Sequence, residues 1–120
     1  IHNCTNPYQG TAKKVLCVCS AGLLRSPTAA WVLSNSPFEY NTRAAGVTKE
    51  YALIPVDDVL LNWADEIVVV EAWMSRHTGA FASKVVALNV PDMYQYRSPE
   101  LMKIIKEQYL AAMGERGNGI

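Results

Sequence analysis

Val15-Leu16-Cys17-Val18-Cys19-Ser20-Ala21-Gly22-Leu23-Leu24-Arg25-Ser26-Pro27-Thr28 reads as three structural pieces joined end to end. Val15 to Cys19 is continuously apolar and rich in β-branched or small sulfur-bearing side chains, the pattern of a short buried strand. Ser26-Pro27 is helix-start chemistry: the serine caps, and the proline fits the first turn, where its missing N–H costs nothing. Only the short loop Cys19 to Arg25 lies between them. Strand, tight loop and helix in immediate succession open a βαβ fold.

The rest of the chain continues that alternation. The first helix is expected through Trp31 to about Ser34, closed by Asn35-Ser36-Pro37. A second strand is expected at Thr42 to Ala45, stopped by Gly46. Pro55 opens a second helix whose buried face is read as Val56, Val59, Leu60 and Trp63. Ile67 to Val70 is an unbroken β-branched run, as in a strand covered on both faces. A short helix from Ala72 to Phe81 and a fourth strand from Val85 to Leu88 follow. Ser98-Pro99-Glu100 repeats the helix-start pattern, with Leu101, Ile105, Tyr109 and Ala112 on one stripe and Gly114 as the stop. Trp31, Trp63 and Trp73 are expected to pack on the sheet, and Arg76 and His77 to be solvated.

These elements predict an α/β domain: a four-stranded parallel sheet with helices on both faces, spanning residues 14–114. An irregular leader (1–13) and a short tail (115–120) flank it. In such folds the loops after the strands gather at one sheet edge, where ligands bind. Here they are Cys19 to Arg25, Gly46 to Glu50, Glu71 to Trp73, and Val90 to Tyr96.

Composition narrows the function. In 120 residues, Lys+Arg and Asp+Glu each count 11, so no basic footprint for nucleic acid is present and a local pocket must supply any anion binding. No apolar run is long enough to span a bilayer, and Ile1 to Lys14 has no hydrophobic signal core, so a cytoplasmic location without membrane attachment is expected. The three cysteines are an odd number without disulfide spacing, and with two histidines they form no metal-ligand pattern; neither a metal nor another cofactor is expected.

The loop carries the chemistry. Between a buried strand and a helix N-terminus, the backbone N–H groups of Ser20, Ala21, Gly22, Leu23 and Leu24 can wrap a tetrahedral anion. Gly22 tolerates the backbone conformations this needs, and Arg25 offers a planar fork for two phosphate oxygens. The same groups should favour the thiolate of Cys19, the form that attacks phosphorus, and Ser26 could donate a hydrogen bond to its sulfur. The plain alternative is a core cysteine followed six places on by a solvated arginine. Cys17, inside the apolar run, reads as core, and Cys4 as inert. Asp92, after the fourth strand, is placed to protonate a leaving oxygen and then activate water; otherwise it is a turn residue after Pro91. Asp57 and Asp58 suit a helix first turn without catalysis. Tyr94 and Tyr96 either wall an aromatic pocket or sit on the surface, and Tyr51 is a weaker candidate for the opposite wall.

Several segments together resemble the low-molecular-weight protein tyrosine phosphatases, and in particular a compact branch of short bacterial and phage proteins. They are Val18-Cys19-Ser20, Leu24-Arg25-Ser26-Pro27-Thr28-Ala29, Ala45-Gly46, Trp63-Ala64-Asp65, Pro91-Asp92-Met93-Tyr94 and Pro99-Glu100-Leu101. The resemblance implies a flavodoxin-like sheet and a phosphate monoester hydrolase working through a phosphocysteine. Cys19 would be the nucleophile, Arg25 the phosphate clamp, Ser26 the thiolate partner and Asp92 the general acid. The substrate would be a phosphorylated protein or a small aryl phosphate. Two positions depart from the family pattern. Gly22 stands where an asparagine commonly braces the loop, and Leu24 where a second cysteine often allows a protective disulfide. Two other readings share the scaffold: a phosphopeptide-binding module without turnover, and an arsenate reductase, which needs further cysteines that do not follow Cys19.

Overall fold

The computed structural model describes residues 3–4, 13–20, 25–35, 38–47, 54–90 and 98–118, with the backbone alone at 3–4 and 115–118. The elements run β1 (Asn3–Cys4), β2 (Lys14–Cys19), α1 (Arg25–Ser34), β3 (Asn41–Gly46), α2 (Asp58–Trp63), β4 (Glu66–Val69), two 3-10 segments (Ala72–His77 and Gly79–Lys84), β5 (Val85–Ala87) and α3 (Pro99–Asn118). The sheet order is β1-β3-β2-β4-β5. The four expected strands are all parallel, and the two-residue β1 adds an antiparallel edge on β3 within the segment read as an irregular leader.

This order decides where a ligand can sit. From β2 the chain winds outward to β3, then crosses back to the other flank of β2 for β4 and β5. The carboxyl end of β2, at Cys19, is therefore the switch point of the sheet, where neighbouring connections part and leave a crevice. Val15, Leu16, Cys17 and Val18 of β2 and Ile67, Val68 and Val69 of β4 are essentially inaccessible, consistent with strands covered on both faces. Cys17 is core, as expected. On one face α1 packs against both the sheet and α3, whose Leu101, Ile105 and Tyr109 are fully buried. The Ser98 hydroxyl caps α3 by accepting from Leu101 N–H at 3.2 Å.

Some local expectations change. Ser26 does not cap α1: the helix already includes Arg25, and the Ser26 side chain turns inward. Helix α2 begins at Asp58 rather than Pro55, because the Asp57 carboxylate caps it by accepting from Leu60 N–H at 2.8 Å. Its buried residue is Leu61; of the expected stripe, Val56, Leu60 and Trp63 are partly buried against the core, while Val59 is 74% exposed. The helix expected from Ala72 to Phe81 is two 3-10 segments broken at Thr78 and Gly79, where Gly79 adopts φ +52°. Trp31 and Trp73 stand partly exposed rather than packed on the sheet, and Trp63 lies under the Arg43 guanidinium at 4.3 Å. Helix α3 passes through Gly114, where a side chain would meet nothing, and ends at Asn118.

At the amino ends of the strands, away from the switch point, a polar cluster fastens α3 to the sheet. Tyr109 donates to Glu66 Oε1 at 2.7 Å, and Lys13 Nζ reaches Glu66 Oε2 at 3.1 Å and the Tyr109 oxygen at 3.2 Å. Phe38 meets Tyr109 edge-on at 5.2 Å. Burial, reinforced by Tyr40 and Glu66, pushes the Tyr109 phenol well above its ordinary pKa, so it stays protonated and donating. No helix among the described residues is long and apolar enough to cross a membrane.

Candidate active site

Because β2 ends where α1 begins, the chain must turn back within a few residues, bringing Cys19, Arg25 and Ser26 together. Cys19 and Arg25 are each 3% exposed and Ser26 is fully buried. Cys19 Sγ lies 3.1 Å from Ser26 Oγ, and the Ser26 hydroxyl is also 3.3 Å from the carbonyl of Ala45 on β3. A hydroxyl has one proton to give. With a thiol at position 19, S–H can donate to the serine oxygen while the serine donates to Ala45. With a thiolate there, the serine proton must turn to the sulfur. The pair therefore fits either charge state of the sulfur through one hydroxyl rotation.

Arg25 Nη1 donates to the carbonyl of Val90 at 2.9 Å and lies 3.4 Å from Glu71 Oε2, while Nη2 donates to Ser20 Oγ at 3.3 Å. The same Glu71 oxygen accepts from Trp73 Nε1 at 3.0 Å. A buried guanidinium without such partners would be strongly destabilising; here both terminal nitrogens are engaged and the fork is held in one orientation. Main-chain bonds set the floor of the crevice: Val47 N–H donates to the carbonyl of Cys19 and Val70 N–H to that of Val18, each at 3.0 Å. Every parallel strand thus delivers something from its carboxyl end: Cys19 and Ser20 from β2, the Ala45 carbonyl from β3, Glu71 just past β4, and the Val90 carbonyl just past β5.

Of the residues singled out in the sequence, the structure brings Cys19, Ser20, Arg25 and Ser26 together. Ala21, Gly22, Leu23, Leu24, Asp92, Tyr94, Tyr96 and Tyr51 lie outside the described residues. Arg76 and His77 are exposed, as expected, and each lies near the Trp73 ring. Asp57 serves as a helix cap. Glu71 was missed as a partner of Arg25, although a carboxylate directly after the run Ile67 to Val70 was the available signal. The carbonyls of Ala45 and Val90 leave no trace in side-chain identity. Among the described residues no group of His, Cys, Asp and Glu side chains converges as a metal site.

A buried cysteine at the switch point of a β3-β2-β4-β5 parallel sheet, with a guanidinium at the start of the following helix, can be compared with solved structures. Wzb from Vibrio vulnificus, solved with benzylphosphonate, superimposes with a TM-score of 0.59 over 91% of this chain and 99% of its own, at 20% identity. The tyrosine phosphatase AmsI from Erwinia amylovora matches with a TM-score of 0.63 over 88% and 92%, at 16% identity. The fold is that of the low-molecular-weight tyrosine phosphatases. The same fold is found in the YwlE arginine phosphatase from Geobacillus stearothermophilus, with a TM-score of 0.60 over 89% and 94% at 14% identity. No family model matches the chain, and no curated protein sequence does.

Proposed function

We propose that the protein hydrolyses phosphate monoesters in two steps through a phosphocysteine. The observation that carries this reading is the Cys19–Ser26–Arg25 cluster, with Sγ 3.1 Å from a hydroxyl and a buried guanidinium beside it at the switch point of the sheet. In the first step Cys19 thiolate attacks phosphorus. The bond to the ester oxygen breaks, and Asp92 protonates the departing alcohol or phenol. In the second, Asp92 takes a proton from water, whose oxygen attacks phosphorus and expels the Cys19 thiolate as inorganic phosphate leaves. Arg25 and the N-terminal dipole of α1 stabilise the charge on the equatorial oxygens. The amides of Ser20, Ala21, Gly22, Leu23 and Leu24 complete the cradle, and Tyr94 and Tyr96 flank an aromatic leaving group. No metal takes part. The proteins that share the fold include tyrosine phosphatases and an arginine phosphatase, which favours a phosphorylated protein or a small aryl phosphate as substrate.

Hydrolysis of 4-nitrophenyl phosphate in EDTA tests the reading, with phosphoarginine as the comparison substrate. Activity is expected to survive chelation and to vanish in Cys19→Ser. Turnover persisting in that variant removes the mechanism, and tight phosphate binding without turnover in the parent makes the protein a phosphopeptide-binding module. Asp92→Asn should slow esters with poor leaving groups far more than those with good ones; equal slowing makes Asp92 structural.

A further inference from the structure

Strand β5 is the edge of the sheet beyond β4, and its chain stays attached after Ala87. Leu88 N–H donates to Val69 at 2.8 Å and Val90 N–H to Val70 at 2.9 Å. Leu88 and Val90 are buried, and the exposed Asn89 between them turns its main chain the other way, where an edge strand ordinarily presents unpaired groups. Here it is not left unpaired. From α3, Gln108 Oε1 accepts from Asn89 N–H at 2.6 Å, and Gln108 Nε2 donates to the Asn89 carbonyl at 2.7 Å. A primary carboxamide carries donor and acceptor side by side, as a backbone does, so Gln108 occupies the place of a further strand for one residue.

The clamped residue adjoins Val90, whose carbonyl receives Arg25 Nη1 at 2.9 Å. We propose that Gln108 is a positioning residue for the oxyanion site: by gripping Asn89 from the outer side, it holds the Val90 carbonyl at the height that orients the Arg25 guanidinium. This rests on the reading of Arg25 as the phosphate clamp. Gln108 acts on the guanidinium through one intervening segment. Methionine at this position keeps the side-chain length and loses both bonds. Glutamate keeps the acceptor for Asn89 N–H and loses the donor.

Calorimetric binding of inorganic phosphate tests this without requiring turnover. In Gln108→Met the Kd should rise on the order of 3–10-fold, the scale of one or two net hydrogen bonds. KM for 4-nitrophenyl phosphate should follow it, Gln108→Glu should fall between, and the Asn89 amide should exchange faster. Tyr109→Phe serves as the control: it loosens the same helix at the other end of the sheet and should leave phosphate affinity unchanged. An unchanged Kd in Gln108→Met, or an equal rise in Tyr109→Phe, overturns the proposal. A parent that binds phosphate without hydrolysis removes the hydrolase reading while the affinities still judge Gln108. A parent that binds none removes both.

Discussion

Removing the Ser26 hydroxyl isolates what it contributes to the sulfur. In the thiolate the serine donates a charge-assisted hydrogen bond, worth about 1.5–3 kcal/mol, but it gives up its bond to the Ala45 carbonyl, worth about 0.5–1 kcal/mol at the long distance of 3.3 Å. The net is about 1–2 kcal/mol in favour of the reactive state. Ser26→Ala should therefore lower kcat/KM roughly 5–30-fold, at about 1.4 kcal/mol per decade. Because Ser26 is fully buried, the variant should also lose about 1–3 kcal/mol of stability, so rates belong well below its unfolding midpoint. Initial rates with 4-nitrophenyl phosphate, paired with the Kd for inorganic phosphate, give the answer. Loss of kcat/KM with phosphate affinity held within about twofold supports the reasoning of one hydroxyl shared between two acceptors. A rate within about twofold of the parent refutes it, and a matching loss of phosphate affinity assigns the effect to loop geometry instead.

Arg25→Lys should reduce kcat/KM by about 10²–10³, since a single ammonium cannot serve Val90, Ser20 and Glu71 and also present a planar fork to phosphate; retention of a third of the parent activity would contradict this. Tyr109→Phe should destabilise the fold by about 1–3 kcal/mol, by leaving a Glu66 oxygen without its buried donor, with kcat/KM unaltered. Tyr109 also gives the parent an alkaline signature. The unfolded chain releases this proton above pH 10.0 while the folded chain keeps it, so stability should fall with rising pH by about 1.4 kcal/mol per unit from that point. Denaturant titrations between pH 9 and 11 should show the Phe variant losing that slope, and equal slopes in the two proteins would disprove it.

The two central parallel strands were readable because each is buried on both faces and so must be an unbroken apolar run: Val15 to Cys19 and Ile67 to Val70 announce themselves. That Cys19 ends a strand at the ligand-binding edge followed from strand–helix alternation, whereas the strand order that makes this point the switch came only from the structure. Boundaries set by side-chain caps were harder. Asp57, two residues past Pro55, caps α2, and Leu61 rather than Val59 enters the core, while Val56, Leu60 and Trp63 pack against it as read. The Ala72–Lys84 stretch has helical composition, yet Gly79 at positive φ divides it into tighter turns, an outcome its spacing does not reveal. At the site, the side chains to which chemistry is assigned by proposal were legible because their types and spacing are unusual together. Glu71 was hidden in a connecting loop, and the carbonyls of Ala45 and Val90 are main-chain atoms that any residue would supply.

One consequence of this layout concerns when the centre comes into being during synthesis. Sulfur, hydroxyl and guanidinium all lie within a span of 7 positions, but their partners at 45, 71 and 90 arrive much later, the last separated from Arg25 by 65 positions. A nascent chain that has made only β2 and α1 holds an undirected sulfur and an unanchored arginine. Chemical competence is therefore a property of the finished topology, and it can serve as a readout of native assembly that spectroscopic helix content alone would miss.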